Sequence, residues 1–326
     1  MTEVSIIIPT YNGAGILSAC LDSIVSQKTD RKYEIIVVND GSTDNTSEIV
    51  KKYNSVTLIT QANAGPASAR NHGAEKAVGD ILLFIDDDCI AEPDWLDAMI
   101  KPFEDPKTSG AKGAYLTNQK EWIAKFVQIE YEEKYDELSR HKYIDFIDTY
   151  SAAFRRQIFI DERGYDTNFS TASVEDQEFS FRLANMGYKM VFVPRAKVFH
   201  THVTTINSYI RKKFKIGYWK VLALNKNPNK VFGDSHTPLT LKMQILLTTT
   251  LFLSFLFILT PLGTIPLLIL ITTFLITAIP LTVRCFFRDP IIGILAPLFI
   301  LLRAIGLTVG LAKGFIFFIG MDKKNP

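Results

Sequence analysis

Cys20, Cys89 and Cys285 are the three cysteines in 326 residues, and no two of them form a CxxC pair. An odd, scattered set with no metal-ligand spacing excludes a disulfide framework and suits a reducing compartment. A glycine-rich dinucleotide fingerprint is also lacking. Asn12-Gly13-Ala14-Gly15 is followed by Ser18 where GxGxxG needs its third glycine, which argues against a dinucleotide-binding oxidoreductase or a nucleotidyltransferase. A signal peptide is not expected, because the N-terminus has no basic region and the apolar run Val4–Ile8 is closed at once by Pro9. Acids are scarce towards the C-terminus. From Met243 to Met321 there is one, Asp289, beside the four basic residues Arg284, Arg288, Arg303 and Lys313.

What is present is unevenly distributed. The net charge is only +2, yet Thr204 to Lys242 holds eight Lys or Arg against the single acid Asp234. A polar N-terminal region, a basic collar and an apolar tail therefore follow one another. The collar abuts apolar segments, so membrane headgroups are the expected partner and nucleic acid is not.

Short apolar runs alternate with helical periodicity through the first 85 residues. Val4–Ile8, Tyr33–Val38, Val56–Thr60 and Ile81–Ile85 read as buried strands, with helices over Ile16–Gln27, Asn45–Lys52 and Ser68–Ala77. Such alternation predicts an α/β fold with a mostly parallel sheet. In such sheets ligands sit beyond the carboxyl ends of the strands. Those ends are Pro9-Thr10-Tyr11-Asn12, Asn39-Asp40-Gly41 and Asp86-Asp87-Asp88. Later, Trp122–Arg140 and Glu178–Met186 read as helices, and Met190–Val193 as an edge strand stopped by Pro194.

Several constellations can carry chemistry. Three adjacent carboxylates, Asp86-Asp87-Asp88, repel one another unless a cation sits among them, and Mg²⁺ or Mn²⁺ is commonly held by one or two carboxylates plus substrate phosphates. Alternation along an extended strand end would put Asp86 and Asp88 on one side and Asp87 on the other. The plainer reading is a solvated loop capping the next helix. Asp40 suits either a base or ribose contact or an Asx turn. Arg70, in the first turn of a helix after Gly65-Pro66-Ala67, suits a diphosphate, a nearby carboxylate or simple exposure. Glu175-Asp176 suits either a general base or acids complementing a helix dipole. His200 and His202 are either surface histidines or, with His200 favoured, an addition to a metal shell.

In this order, Val4-Ser5-Ile6-Ile7-Ile8-Pro9-Thr10-Tyr11-Asn12, Val38-Asn39-Asp40-Gly41-Ser42-Thr43-Asp44, Gly65-Pro66-Ala67-Ser68-Ala69-Arg70-Asn71, Asp86-Asp87-Asp88 and Glu175-Asp176 resemble the motifs of family-2 glycosyltransferases over roughly residues 4–220. The resemblance implies a GT-A fold, a UDP- or GDP-sugar donor, Mn²⁺ or Mg²⁺ as cofactor and inversion at the anomeric carbon. By that likeness Pro9, Thr10, Tyr11, Asn12, Asp40, Arg70, Asp86 and Asp87 contact the donor. Asp86, Asp88 and His200 hold the metal, and Asp176 is the base. Glu175, Arg155 and Arg156 lie on the acceptor side. Tyr209-Ile210-Arg211-Lys212-Lys213-Phe214 lacks the QxxRW motif of processive synthases, so single-sugar transfer is expected. A non-catalytic scaffold or nucleotide-sugar-binding protein of the same fold is the alternative.

The expected organisation is a donor-binding half over residues 1–118, an acceptor-side half over 119–203, a basic interfacial segment over 204–242 and a transmembrane region over 243–326. Runs 243–260 and 264–283 are near the ~20 residues that cross a bilayer. A third run, 291–320, is interrupted by Pro297, Arg303 and Lys313. Ile206, Ile210, Phe214 and Tyr218 recur every four residues between basic side chains, as in a helix lying in the interface. The basic collar puts the catalytic part on the cytoplasmic side of the cell membrane, with a lipid-linked acceptor as partner. Gly306, Gly310 and Gly314 suit close helix packing, and Arg303 either a protein-facing seam or a lipid phosphate.

Overall fold

The computed structural model describes residues 2–168, 174–231, 233–254 and 264–322. In chain order its strands and α-helices are β1 (Val4–Thr10), α1 (Leu17–Val25), β2 (Tyr33–Asp40), α2 (Thr46–Val50), β3 (Val56–Gln61), α3 (Pro66–Lys76), β4 (Ile81–Ile85) and β5 (Cys89–Ala91). There follow α4 (Trp95–Ile100), β6 (Thr108–Leu116), α5 (Trp122–Ser139), β7 (Ser151–Arg155), α6 (Arg156–Asp161), α7 (Glu175–Asn185) and β8 (Lys189–His200). The chain ends in α8 (Ile206–Lys226), α9 (Leu239–Ser254), α10 (Thr264–Arg288) and α11 (Pro290–Asp322). Two compact units result. The first comprises Met1–Asn118, Leu138–Thr201 and Asn227–Ser235, and the second Gln119–Glu137, His202–Lys226 and His236–Pro326. Gln119–Glu137, expected with the acceptor half, thus belongs to the second unit.

The first unit is built on an eight-stranded sheet of order β3-β2-β1-β4-β7-β6-β8-β5. Strands β1 to β4 are mutually parallel where they pair, and β7 runs antiparallel to both β4 and β6. All seven residues of β1 are buried, as a strand covered on both faces requires. Helix α3 lies close on this sheet because Gly73 has no side chain. A Cβ there would stand 2.5 Å from Ile7 Cγ2 and 3.1 Å from Val38 Cγ2. Phe84, Phe154, Phe159, Tyr165 and Phe179 pack ring on ring, with centroids 5.1 to 6.3 Å apart, and join β4, β7, α6 and α7. Such pairs add ~0.5–1.5 kcal/mol each beyond their burial.

One expectation fails in β8. It does not stop at Pro194 and is not an edge strand: it runs on to His200 between β6 and β5. Its register to β6 shifts between Lys112 and Ala114, from Phe192 to Lys197. That irregularity takes up Pro194, which has no N–H to give to a ladder.

In the second unit an apolar cluster joins Phe126, Val127 and Ile129 of α5 to Phe274, Ala278 and Leu281 of α10 and to Phe299, Ile300 and Ala304 of α11. The glycines of α11 lie directly against α8. A Cβ on Gly310 would run into the carbonyl oxygen of Phe214, and one on Gly314 into that of Tyr218. The face of α8 expected to lie on a bilayer is therefore a helix-packing face. Buried among these helices is an ion cluster. Glu130 Oε1 accepts from Tyr209 Oη at 2.9 Å and from Arg303 Nη1 at 3.1 Å, and its Oε2 accepts from Lys213 Nζ at 2.8 Å. Arg303 Nη2 also donates to Gln244 Oε1 at 2.8 Å. Arg303 thus has a protein carboxylate as its anion.

Ile265–Arg288 and Pro290–Phe318 are each long and apolar enough to cross a membrane. The third run is one unbroken helix, α11, with Pro297 inside it. Of the first run, α9 accounts for the part up to Ser254. The rest, the link 261–263 and the basic tail 323–326 lie outside the described residues.

Candidate active site

Because β1, β2 and β4 are parallel, Thr10, Asp40 and Asp86 emerge at one edge of the sheet. β8 is parallel to β6, which pairs antiparallel with β7, itself antiparallel to β4, so His200 emerges at that edge too.

The acidic triplet does not continue the strand. β4 ends at Ile85, and the Cys89 N–H donates to the Asp86 carbonyl at 3.1 Å, which closes a turn. The expected alternation of side chains is therefore replaced by a fan. Asp86 Oδ1 accepts from Arg70 Nη2 at 2.6 Å. Asp87 Oδ2 accepts from Thr10 Oγ1 at 2.6 Å. Asp88 Oδ2 lies 3.2 Å from His200 Nδ1. Asp87 is thus turned in against β1, and Asp86 and Asp88 do not share a partner. Burial pushes its carboxyl up to about 6, against the opposing Thr10 hydrogen bond. Gly13 leaves it room, since a Cβ there would stand 2.7 Å from Asp87 Oδ2.

Arg70 is buried and forks between two elements. Its Nη1 donates to Glu175 Oε1 at 3.2 Å while its Nη2 holds Asp86. Burial disfavours the charged guanidinium, but Asp86 and Glu175 outweigh it and raise its pKa. The arginine thereby fixes the start of α7, and with it Asp176, beside the triplet. The carboxyl of Asp176 is raised well above the ordinary range by burial first, then by the charges of Glu175 and Asp148. Asp148 is in turn ion-paired to Lys112, a fully buried cation in the middle of β6. The Lys112 ammonium also stands 4.6 Å from the ring centre of Phe146.

Asp40 serves the neighbouring turn. Its Oδ1 accepts from the Ala64 N–H at 2.9 Å and from Gln61 Nε2 at 2.8 Å, and its Oδ2 from the Gly65 N–H at 2.9 Å. Gly65 has φ of 89°, a value that favours glycine before Pro66 starts α3. Asn12 joins two strand ends, donating its N–H to Ser42 Oγ at 2.9 Å and accepting from the Thr43 N–H at 2.8 Å. Pro9 is buried within β1, and Tyr11, just past the end of that strand, is 51% exposed.

Two expected acceptor-side residues are elsewhere. Because β7 is antiparallel to β4, Arg155 pairs with Ile81 at the start of β4, while Ser151 pairs with Ile85. Arg155 is about 13 Å down the strand from the site edge. Its guanidinium donates to the carbonyls of Thr108, Phe103 and Asp105, and the Arg156 N–H donates to Asp80 O. Both brace the opposite edge of the sheet. His202 belongs to the second unit, where its Nε2 lies 3.0 Å from Gln128 Oε1.

Lys112, Asp148 and Cys89 were not singled out from the sequence. A lysine between Gly110 and Gly113 in an apolar strand was the one available signal for Lys112. For Cys89 there was none, since its nearness to His200 comes from the pairing of β5 with β8. Asp88, Cys89 and His200 place a carboxylate oxygen, a sulfur and an imidazole nitrogen within 4.8 Å of one another. That donor set suits a divalent metal ion. Asp86, paired with Arg70, is outside it.

Comparison with known proteins bears on the fold and the family. A Streptococcus pneumoniae protein, glycosyltransferase GlyA, is 36% identical over 145 residues, which are 42% of this chain and 21% of the relative. Poly-beta-1,6-N-acetyl-D-glucosamine synthase of Staphylococcus aureus is 29% identical over 203 residues, 59% of this chain and 48% of the relative. The chain thus spans less than half the length of either. The mannosyltransferase PcManGT from Pyrobaculum calidifontis, solved in complex with GDP-Man and Mn²⁺, superposes at TM-score 0.61 and 18% identity, over 96% of this chain and 87% of its own. At that identity the likeness is one of fold, and the fold is GT-A. Residues 5–162, just under half of the chain, match Glycosyl transferase family 2, and that stretch is a family-2 glycosyltransferase domain.

Proposed function

We propose that the protein transfers a sugar, with inversion, from a nucleotide-diphosphate sugar to a lipid-linked acceptor at the cytoplasmic face of the cell membrane, within glycan or envelope polysaccharide synthesis. The observation that carries this reading is the paired geometry of the sheet edge. Asp88 lies against His200 on one side, and Arg70 ties Asp86 to the helix that presents Asp176 on the other. Asp88 and His200 would hold a divalent metal ion, which would supply charge neutralisation for the departing diphosphate. Asp86 and Thr10 border the nucleotide pocket, Tyr11 offers an exposed ring to a base, and Asp40 shapes the pocket wall through the Gln61–Gly65 turn. Asp176 accepts the proton of the acceptor hydroxyl. A carboxylate in low-polarity surroundings next to two other acids is a stronger base than a free one, which suits that role.

The membrane part of the reading rests on exposed apolar surface. Leu268, Ile269, Ile276 and Phe287 of α10 are 58% to 84% exposed, and Ile294 and Ile316 of α11 are 74% and 77% exposed. So much uncovered apolar area needs lipid or another chain. The eight basic residues before it favour the cytoplasmic side. The test is a panel of UDP- and GDP-sugars with Mn²⁺ or Mg²⁺, read by release of nucleoside diphosphate and by thermal shift. Stabilisation and slow hydrolysis with at least one donor are expected. A protein that neither binds nor hydrolyses any of them does not have this activity.

A further inference from the structure

Cys89 is fully buried. A buried cysteine usually packs as a small apolar group, but the polar neighbours of this one are a carboxylate and an imidazole. Its Sγ lies 3.6 Å from Asp88 Oδ1 and 4.0 Å from His200 Nδ1. The backbone fixes this arrangement. β5 pairs antiparallel with β8 in the register Cys89 to His200, so the two side chains leave the sheet on the same face. Asp88, one residue earlier, closes the triangle at 3.2 Å from the same imidazole nitrogen.

Bond lengths of about 2.0–2.1 Å to nitrogen or oxygen and about 2.3 Å to sulfur put tetrahedral ligand atoms roughly 3.3–3.7 Å apart. Asp88 faces sulfur with Oδ1 and imidazole with Oδ2; with one ligand atom from each residue the three lie within 4.8 Å of one another, so an ion need draw them together only slightly. We propose that Cys89 is a third protein ligand to the divalent metal, alongside Asp88 and His200, so that the site prefers ions that accept sulfur over Mg²⁺. The proposal rests on the glycosyltransferase reading only for the presence of a metal at this edge.

Charge and softness support it. One carboxylate, one thiolate and a neutral imidazole together balance a dication, which leaves diphosphate oxygens to complete the shell with the excess negative charge. Coordination replaces the S–H bond by a sulfur–metal bond, and the proton passes to solvent. Thiolate selects zinc and similar ions, whereas Mg²⁺ demands oxygen ligands.

The experiment is titration of the full-length protein in detergent with Co²⁺, with and without UDP, followed by near-ultraviolet absorption. A sulfur-to-cobalt charge-transfer band is expected in the wild type, absent from Cys89→Ser and retained in Cys20→Ser. Cys89→Ser should lower the affinity for Co²⁺ and Zn²⁺ about 10- to 100-fold, while Mg²⁺ affinity changes much less. The metal-free melting temperature of each variant shows that the fold is kept, and Cys89→Ala repeats the test if serine is not tolerated. Cobalt bound without the band, a band that survives Cys89→Ser, or Co²⁺ binding untouched by Asp88→Asn each overturns the proposal. Wild-type protein that turns over a nucleotide sugar yet shows no band overturns the sulfur ligand and leaves the glycosyl-transfer reading standing. A band without donor turnover supports the ligand and counts against that reading.

Discussion

Arg70 Nη2 lies 2.6 Å from Asp86 Oδ1, and the other arm of the same guanidinium holds Glu175 at 3.2 Å. One buried cation therefore joins the acidic turn after β4 to the first turn of α7, where Glu175 lies 105 positions beyond Arg70 in the chain. Asp86 and the neighbour of the proposed base cannot shift independently while this fork is intact. Four predictions follow from it and from the contacts described above.

Arg70→Ala leaves Asp86 and Glu175 without their shared counter-charge. Breaking a buried pair by removing one partner costs about 3–5 kcal/mol. Arg70→Lys should recover only part of this, because a single ammonium cannot form the planar fork. Thermal denaturation of the three proteins checks the order wild type, Lys, Ala. A melting temperature for Arg70→Ala equal to that of the wild type would show the fork to be dispensable.

Asp176→Asn removes the group proposed to take the acceptor proton. Transfer should fall about 10²–10⁴-fold, with donor binding nearly unchanged. In the wild type the rate should fall as pH drops through the raised pKa of Asp176, since protonation removes the base. The stability effect has the opposite sense. A carboxyl whose folded pKa is raised stabilises the fold below its unfolded value near 3.9, and that contribution is lost as pH rises through the folded value. Asp176→Asn should therefore be at least as stable as the wild type at neutral pH. Pre-steady-state transfer and denaturation measured across pH separate the two effects.

Glu130 is held at about 2. Burial acts to raise it, and Lys213 and Arg303 outweigh that. Its contribution to stability is fully present above the unfolded carboxyl value near 4.3 and is lost as pH falls from there towards about 2. Glu130→Ala should cost about 3–5 kcal/mol, because Lys213 stays buried without its carboxylate and Arg303 keeps only the longer 3.9 Å contact to Glu133. Unfolding followed by helical circular dichroism in detergent, at pH 7 and at successively lower pH, reads both effects. A variant as stable as the wild type would show that Glu130 is not needed to hold the two cations.

Gly310→Val puts a branched side chain where the Phe214 carbonyl oxygen already stands. α8 and α11 must then separate, at about 1–3 kcal/mol for an overpacked contact. Gly233→Val, where a Cβ meets nothing within 4 Å, is the matched control. Cysteine cross-linking between the two helices, lost in the first variant and kept in the second, distinguishes local separation from general unfolding.

Much of the sheet was legible because β1, β2 and β4 are short apolar runs bounded by polar turns. Parallel pairing then forces their carboxyl ends to one edge. Asp40, Asp86, Asp88 and Asp176 could be named from order and spacing. The partners of those acids could not. Arg155 and Arg156 looked as plausible as Arg70 from the sequence, yet the antiparallel direction of β7 carries them to the wrong edge. Pro194 looked like a strand terminator, and a register shift absorbed it.

The sequence by itself determined which segments bury, since burial follows from apolar periodicity and chain-local turn residues. It also determined which residue types were available for acid, base and metal chemistry, and it exposed the glycine row on α11. Only the tertiary structure decided how the acidic triplet divides. A turn after Ile85 sends Asp86 to Arg70, Asp87 to Thr10 and Asp88 to His200, and the β5–β8 register adds Cys89 to the last pair. The physical reason is range. Periodicity is a property of neighbours in the chain, whereas each of these partners is set by hydrogen-bonded pairing of strands and packing of helices far apart in sequence.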